Sequence, residues 1–139
     1  MQKFADVAFL ALTVWREARG ESDECKEAVA MCIMNRVQRP SWWGKDIMSV
    51  CFKKWQFSSL TDPKDPQLTT WPDSNDKSWK ACLKIATQAI YGWLEHPAPG
   101  ADHYYDISIK APYWADEKKF VKQIGRIRFF DLDEDVEKA

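Results

Sequence analysis

Residues 2 to 19 carry the pattern that most limits the fold. Phe4, Val7, Ala8, Ala11, Val14, Trp15 and Ala18 recur with the 3.6-residue period of an α-helix. One face of the segment is apolar, so it must be buried against other elements. Gly20 is placed to stop this helix, since glycine takes a left-handed conformation past a helix end without steric cost. Ser22 suits the N-cap of a second helix, with Asp23 and Glu24 in its first turn, where the helix dipole favours anions. That helix is expected to run to about Val37, with Ala28, Val29, Cys32, Ile33 and Val37 toward the core and Pro40 beyond its end. A third stretch, about Lys77 to Glu95, sets Trp79, Cys82, Leu83, Ala86, Ala89, Ile90 and Trp93 on one side. Asp73, Ser74 or Asp76 is available to cap it.

The middle of the chain is different. Asp46 to Cys51 is a short helical candidate, and Pro63, Pro66 and Pro72 then break any regular element. Long ordered loops in compact domains are places where function sits. The third helix ends by the turn Pro97 to Gly100, and Gln123 to Phe130 reads as a strand. There is no internal repeat and no linker. The expected architecture is mostly α, α+β at most, in one domain spanning residues 1–139, with 131–139 as an acidic, solvated tail.

Charge excludes several functions. Twenty basic residues stand against 21 acidic ones, a net charge of −1. No global field is left to attract nucleic acid or an anionic membrane. No apolar run is long enough to cross a bilayer as a helix. The four cysteines, Cys25, Cys32, Cys51 and Cys82, form no CxxC pair, and the histidines are His96 and His103 alone. No metal site and no cofactor are expected from that set. Cys25 and Cys32, on one helix, would have Cα atoms ~10 Å apart at a rise of about 1.5 Å per residue. A disulfide needs less than about 7 Å, so buried free thiols are expected, as in a protein made in a reducing compartment. A signal peptide is rejected, because Asp6 interrupts the start of the apolar run and cleavage near Gly20 would remove the most informative motif. The expectation is a monomer made in the cytoplasm. The composition stands out in its eight tryptophans, with seven Phe and four Tyr. Most belong in a core, and the rest suit stacking on flat ligand faces.

Glu17 lies at the edge of the first helix's apolar face, in its last turn. The negative end of the helix dipole disfavours an ionised carboxylate there. Glu21, four residues on, adds like charge if it projects the same way. A carboxylic acid kept protonated near neutral pH is what glycoside cleavage needs, because a proton must reach the leaving oxygen. By itself, a glutamate at a helix end is equally a solvated partner for Arg16 or Arg19.

The order of the surrounding segments adds to this. AFLALTVWREARGES, VAMCIMNRV, WQFSSL, GADHYY and PYW follow one another along the chain. The sequence resembles the SleB/CwlJ family of cell-wall hydrolases, spore-cortex-lytic enzymes and their phage relatives, from about Ala8 to Phe130. The most specific pieces are Glu17 to Glu21, Asn35-Arg36 and Gln56-Phe57-Ser58. The resemblance implies a lysozyme-like fold around a glycan-binding cleft. It implies cleavage between MurNAc and GlcNAc, typically by lytic transglycosylation, and its catalytic glutamate falls on Glu17. The family's Gly-x-His-x-Phe-Tyr pattern is here Gly125 to Phe130, with Ile127 in place of the histidine.

Beside Glu17, Gln56 and Ser58 offer amide and hydroxyl groups suited to an N-acetyl or carbonyl oxygen, or to holding their own loop. Phe57 joins them through the motif. His103 titrates near neutrality, or makes a structural hydrogen bond to backbone. Tyr104 and Tyr105 should divide, one to the core and one to the groove. Trp55 and Trp114 suit sugar stacking as well as core packing. Asn35 is expected to brace the Glu17 loop and Arg36 to form a structural ion pair. A transglycosylase works with one carboxylate, because the 6-hydroxyl of the substrate closes an anhydro ring. A hydrolytic muramidase needs a second carboxylate ~5–9.5 Å away, for which Glu21 is the candidate. A non-catalytic wall-binding module is the reading from another class, and the intact Glu17-to-Glu21 segment speaks against it. The expected partner is the peptidoglycan glycan strand, and the expected setting is a phage endolysin that reaches the wall after release from the host cytoplasm.

Overall fold

The computed structural model describes residues 2–39, 43–53 and 57–132. Among the described residues, five α-helices and three short strands follow in order. They are α1 (Gln2–Ala18), α2 (Asp23–Gln38), α3 (Ile47–Cys51), α4 (Ser58–Thr61), α5 (Lys77–Ile90), β1 (His103–Asp106), β2 (Phe120–Ile124) and β3 (Ile127–Phe130). Single 3-10 turns occupy Pro66–Thr69 and Glu117–Lys119.

The helices start where short polar side chains offer a cap. The Ser22 hydroxyl accepts the Cys25 amide at 3.2 Å, Asp76 accepts that of Trp79, and Asp46 closes a reciprocal capping box with Ser49. The first helix stops at Ala18 without Gly20 entering the left-handed region, so the glycine ends the helix in a conformation other than the one expected.

α1 and α5 pack antiparallel. Ser78, early in α5, donates to the Arg19 carbonyl at 2.6 Å, and Lys3 lies over the ring of Tyr91, just past the other end. Leu10, Ala11 and Val14 of α1, Ala28, Val29, Cys32 and Ile33 of α2, and Cys82 and Ala86 of α5 are fully buried together. Small side chains at Ala28, Cys32, Cys82 and Ala86 let the helix backbones approach closely. All four cysteines are free and buried in this core.

Two residues expected on buried faces are exposed. Phe4 is 82% exposed, because burial along α1 becomes complete only from Leu10. Trp93 is 70% exposed, because α5 ends at Ile90 rather than Glu95. Gly92 then turns the chain at φ +75°, a conformation that favours glycine, and Trp93 stacks on Tyr91 instead.

The strands form an antiparallel sheet in the order β1-β3-β2. The strand expected over Gln123 to Phe130 is a hairpin, turning at Gly125 (φ +57°) and Arg126. β1 lies in a segment given no regular structure from sequence. Ile127 is buried in the core and pairs with Asp106 and Ile124. Tyr105, Phe130 and Leu132 form a second cluster against Trp114.

Candidate active site

Three elements meet at one carboxyl group. Glu17 projects from the last turn of α1. Its Oε1 accepts the Tyr104 hydroxyl of β1 at 2.7 Å, and its Oε2 accepts the Ser59 hydroxyl of α4 at 2.8 Å. Burial raises the pKa of this carboxyl, against the two hydroxyl hydrogen bonds that lower it. The nearby negative charge of Asp65 raises it further, and Arg36 lowers it. Burial, and then the charge of Glu17, push the Tyr104 hydroxyl well above the usual phenol range, so it stays a donor. Glu17 keeps some exposure. It is a carboxyl held at both oxygens and biased toward its protonated form.

The loop that supplies Ser59 is fixed by the residue next to the acid. Arg16 is 7% exposed, and its guanidinium donates to the carbonyls of Ser59 (3.0 Å), Leu68 (3.2 Å) and Thr70 (3.2 Å). Its Cζ lies 4.6 Å from the ring centre of Trp71. Arg19 donates to the Gln67 side chain and lies over Trp15. These contacts tie the loop, with its own short helical turns, to α1.

The other residues singled out from the sequence distribute unevenly. Tyr104 meets Glu17 and packs against the main core, while Tyr105 is buried against Phe130 and accepts from Arg128 at 3.2 Å. Ser58 donates to Asp65 at 2.7 Å, and it is Ser59 that bonds Glu17. Phe57 is 2% exposed in the core, beneath the Arg36 guanidinium. Trp114 packs edge-on against His103, Tyr105 and Phe130. Trp55 and Gln56 lie outside the described residues.

His103 is buried, with Nδ1 3.0 Å from Asp102 Oδ1. Burial holds its pKa below the ordinary value. The partner is a carboxylate, not the backbone. Asp102 also accepts the Leu132 amide at 2.9 Å and faces Arg39 at 3.5 Å, so the pair locks the chain after β3. Asn35 donates to the Ala101 carbonyl at 2.9 Å and Arg36 to that of Asp102 at 2.7 Å. Both residues brace the segment that leads into Tyr104, and thus the acid's partner rather than the acid's own loop.

Glu21 turns elsewhere. Its Oε1 accepts the Arg126 amide at 3.2 Å, at the tip of the β2–β3 hairpin. A Cβ added at Gly125 would lie 2.9 Å from that same oxygen, so the glycine makes the close approach possible.

Sequence reasoning missed Ser59, Arg16 and Asp65. The pair Ser58-Ser59 was visible, but a single helical turn decides which hydroxyl faces Glu17. Among the described residues no cluster of His, Cys, Asp and Glu could hold a metal ion, and no helix is long and apolar enough to cross a membrane.

The model of the cell wall hydrolase family matches residues 20–130. The chain belongs to this family. The matched stretch contains Ser59 and Tyr104 and begins after Glu17, so the case for the acid is geometric. Among relatives of the family, the spore cortex-lytic enzyme of Oceanobacillus iheyensis is 31% identical over 87% of this chain and 40% of its own length. That of Bacillus subtilis is 28% identical over 87% of this chain and 36% of its length. The chain thus spans about two fifths of the curated relatives it matches. The catalytic domain of the germination-specific lytic transglycosylase SleB from Bacillus anthracis has a TM-score of 0.71 at 26% identity, covering 94% of this chain and 96% of that domain. The catalytic domain of Bacillus cereus SleB has a TM-score of 0.72 at 26% identity, covering 94% and 91%. The fold is therefore that of the SleB catalytic domain: lysozyme-like, mostly α with a small sheet, as the sequence led one to expect.

Proposed function

We propose that this protein cleaves the peptidoglycan glycan strand between MurNAc and GlcNAc as a lytic transglycosylase, with Glu17 as acid and then base. The protonated Glu17 gives its proton to the glycosidic oxygen, and the C1–O bond breaks with oxocarbenium character at C1 of MurNAc. The resulting carboxylate, steadied by the Tyr104 and Ser59 hydroxyls, takes the proton of the 6-hydroxyl of the same sugar. That oxygen bonds to C1, closing an anhydro ring and restoring the acid. No water is consumed.

The observation that carries this is the environment of Glu17: burial favours the neutral acid, while two hydroxyl donors stand ready for the anion. A single carboxylate is enough for the anhydro route, and Glu21, the candidate second carboxylate of a muramidase, is engaged at the hairpin tip. Glu17, Ser59 and Tyr104 come from one chain, so a monomer suffices, with the glycan strand as its partner and no membrane or nucleic acid required. The endolysin setting, acting on the wall after release from a host cytoplasm, is part of the proposal and rests on the resemblance to phage members of the family.

The test is mass spectrometry of purified peptidoglycan after digestion. Anhydro-muropeptides are expected, lost in a folded Glu17→Gln variant by about 10²–10⁴-fold or more. Reducing ends would make the protein a muramidase. Binding without any product would make it a wall-binding module. Near wild-type turnover by Glu17→Gln would remove Glu17 from the chemistry.

A further inference from the structure

Trp71 stands where the long loop leaves Arg16 and heads for α5. It is 68% exposed and lies outside both hydrophobic clusters. Yet its ring is not loose. The Arg16 guanidinium lies 4.6 Å from its centroid, and three loop carbonyls fix that guanidinium in turn. Pro72 follows directly, and a residue before proline is held in extended backbone. The indole is thus set from one side before any ligand arrives, while much of its surface remains open to solvent.

The geometry points to Trp71 as a sugar-stacking platform beside Glu17, taking the apolar face of an N-acetylhexosamine ring in a bound glycan strand. The inference rests on the peptidoglycan reading above. A pyranose ring offers a face of C–H groups, and tryptophan offers the largest rigid aromatic face with few rotors to freeze. An indole already pinned loses less freedom on binding than a mobile one.

Arg16 ties this platform to the chemistry. It precedes Glu17 in α1, and it bonds the carbonyl of Ser59, whose hydroxyl bonds Glu17. A sugar on Trp71 is therefore held in the same rigid unit as the proton donor. Stacking at a neighbouring ring would bring the scissile bond into register with the acid. The exposed pair of Tyr91 and Trp93 has no such link. Tyr91 and Trp93 stack on each other near Lys3, at the opposite end of α1. At about 1.5 Å of rise per residue, that end lies roughly 20 Å from Glu17.

Two measurements test the platform: binding of chito-oligosaccharides to the Glu17→Gln protein by calorimetry, and turnover of purified peptidoglycan with Glu17 intact. Trp71→Ala is expected to weaken oligosaccharide binding about tenfold and to lower kcat/KM on peptidoglycan by a similar factor, through kcat as well as KM because the scissile bond loses its register. Trp71→Phe should keep most of the affinity, and Trp71→Leu, which keeps bulk without a ring, should behave like Trp71→Ala. If Trp71→Ala, or Trp71→Leu should the alanine variant not fold, binds and turns over like its parent, the platform is overturned while Glu17 stands. Equal losses in the Ala, Leu and Phe variants together with lowered melting temperatures would make Trp71 a mere anchor for Arg16, and would also overturn it. A parent protein that neither binds the oligosaccharide nor cleaves peptidoglycan would bring down the functional reading and the platform together.

Discussion

Tyr104 and Glu17 stand 87 positions apart in the chain, and their side chains meet at 2.7 Å. The contact joins the first helix to the first strand at a carboxyl whose pKa burial raises. The Tyr104 and Ser59 hydroxyls stabilise the anion, so each lowers the Glu17 pKa against the effect of burial. Removing either hydroxyl should raise that pKa further. The protonated acid is the form that starts the reaction, so activity is lost as pH rises through this pKa. Tyr104→Phe and Ser59→Ala should therefore move the alkaline limb of the kcat/KM profile to higher pH, while the maximum falls by about tenfold. A fall without movement of the limb would reduce both residues to packing.

The same shift has a cost in stability. The folded protein holds the Glu17 proton more tightly than the unfolded chain does. By linkage, the stabilisation is complete below the unfolded glutamate pKa and is lost as pH rises through the folded one. Glu17→Gln removes the buried charge that appears at high pH. It should melt above wild type at neutral and alkaline pH, with the gap closing as pH falls toward about 4. Each kcal/mol of relief would raise Tm by roughly 3–5 °C in a domain of this size. A variant less stable than wild type at pH 8 would show that the Glu17 charge is well accommodated.

The helices were legible because their signals are local. Ser22, Asp46 and Asp76 cap the elements whose apolar periods announced them. The place of Glu17 in the last turn of the first helix was legible from the helical period. Its partners were not. Choosing Ser59 over Ser58 depends on the angular position of α4, which Arg16 sets from a distant helix. β1 was hidden because His103 to Asp106 gains its strand character from pairing with β3, a partner more than twenty positions away. Asn35 was read as a brace of the Glu17 loop and Arg36 as one half of an ion pair; both donate to carbonyls of the segment carrying Tyr104. Their donors reach across 66 positions, a distance over which sequence spacing carries no geometric information.

The four cysteines should react in step with unfolding. All are buried and free, and burial pushes the Cys51 thiol up to about 11 and those of Cys25 and Cys82 up to about 12. The thiolate is the reactive species, so almost none is present near neutrality. Titration with a thiol reagent should count no fast group in the native protein and four in denaturant. Fewer than four in denaturant, restored by a reductant, would reveal a disulfide. A fast native thiol would place one of them at the surface.

Glu21 separates the two chemistries most directly. Its carboxylate oxygen accepts the Arg126 amide at the hairpin tip, a contact that needs an acceptor and not a charge. Glutamine supplies the same oxygen. Glu21→Gln should therefore keep both stability and turnover within about twofold of wild type, since a neutral acceptor still satisfies the amide. Glu21→Ala removes the acceptor and should cost about 1 kcal/mol in denaturant unfolding, with turnover following the folded fraction. A muramidase that used Glu21 to activate water or to trap the sugar would respond in the opposite order. The charge itself would matter, and Glu21→Gln would lose orders of magnitude in kcat at full stability. Measuring Tm and anhydro-muropeptide yield for both variants decides between them, because the hairpin contact and the catalytic carboxylate call for different substitutes.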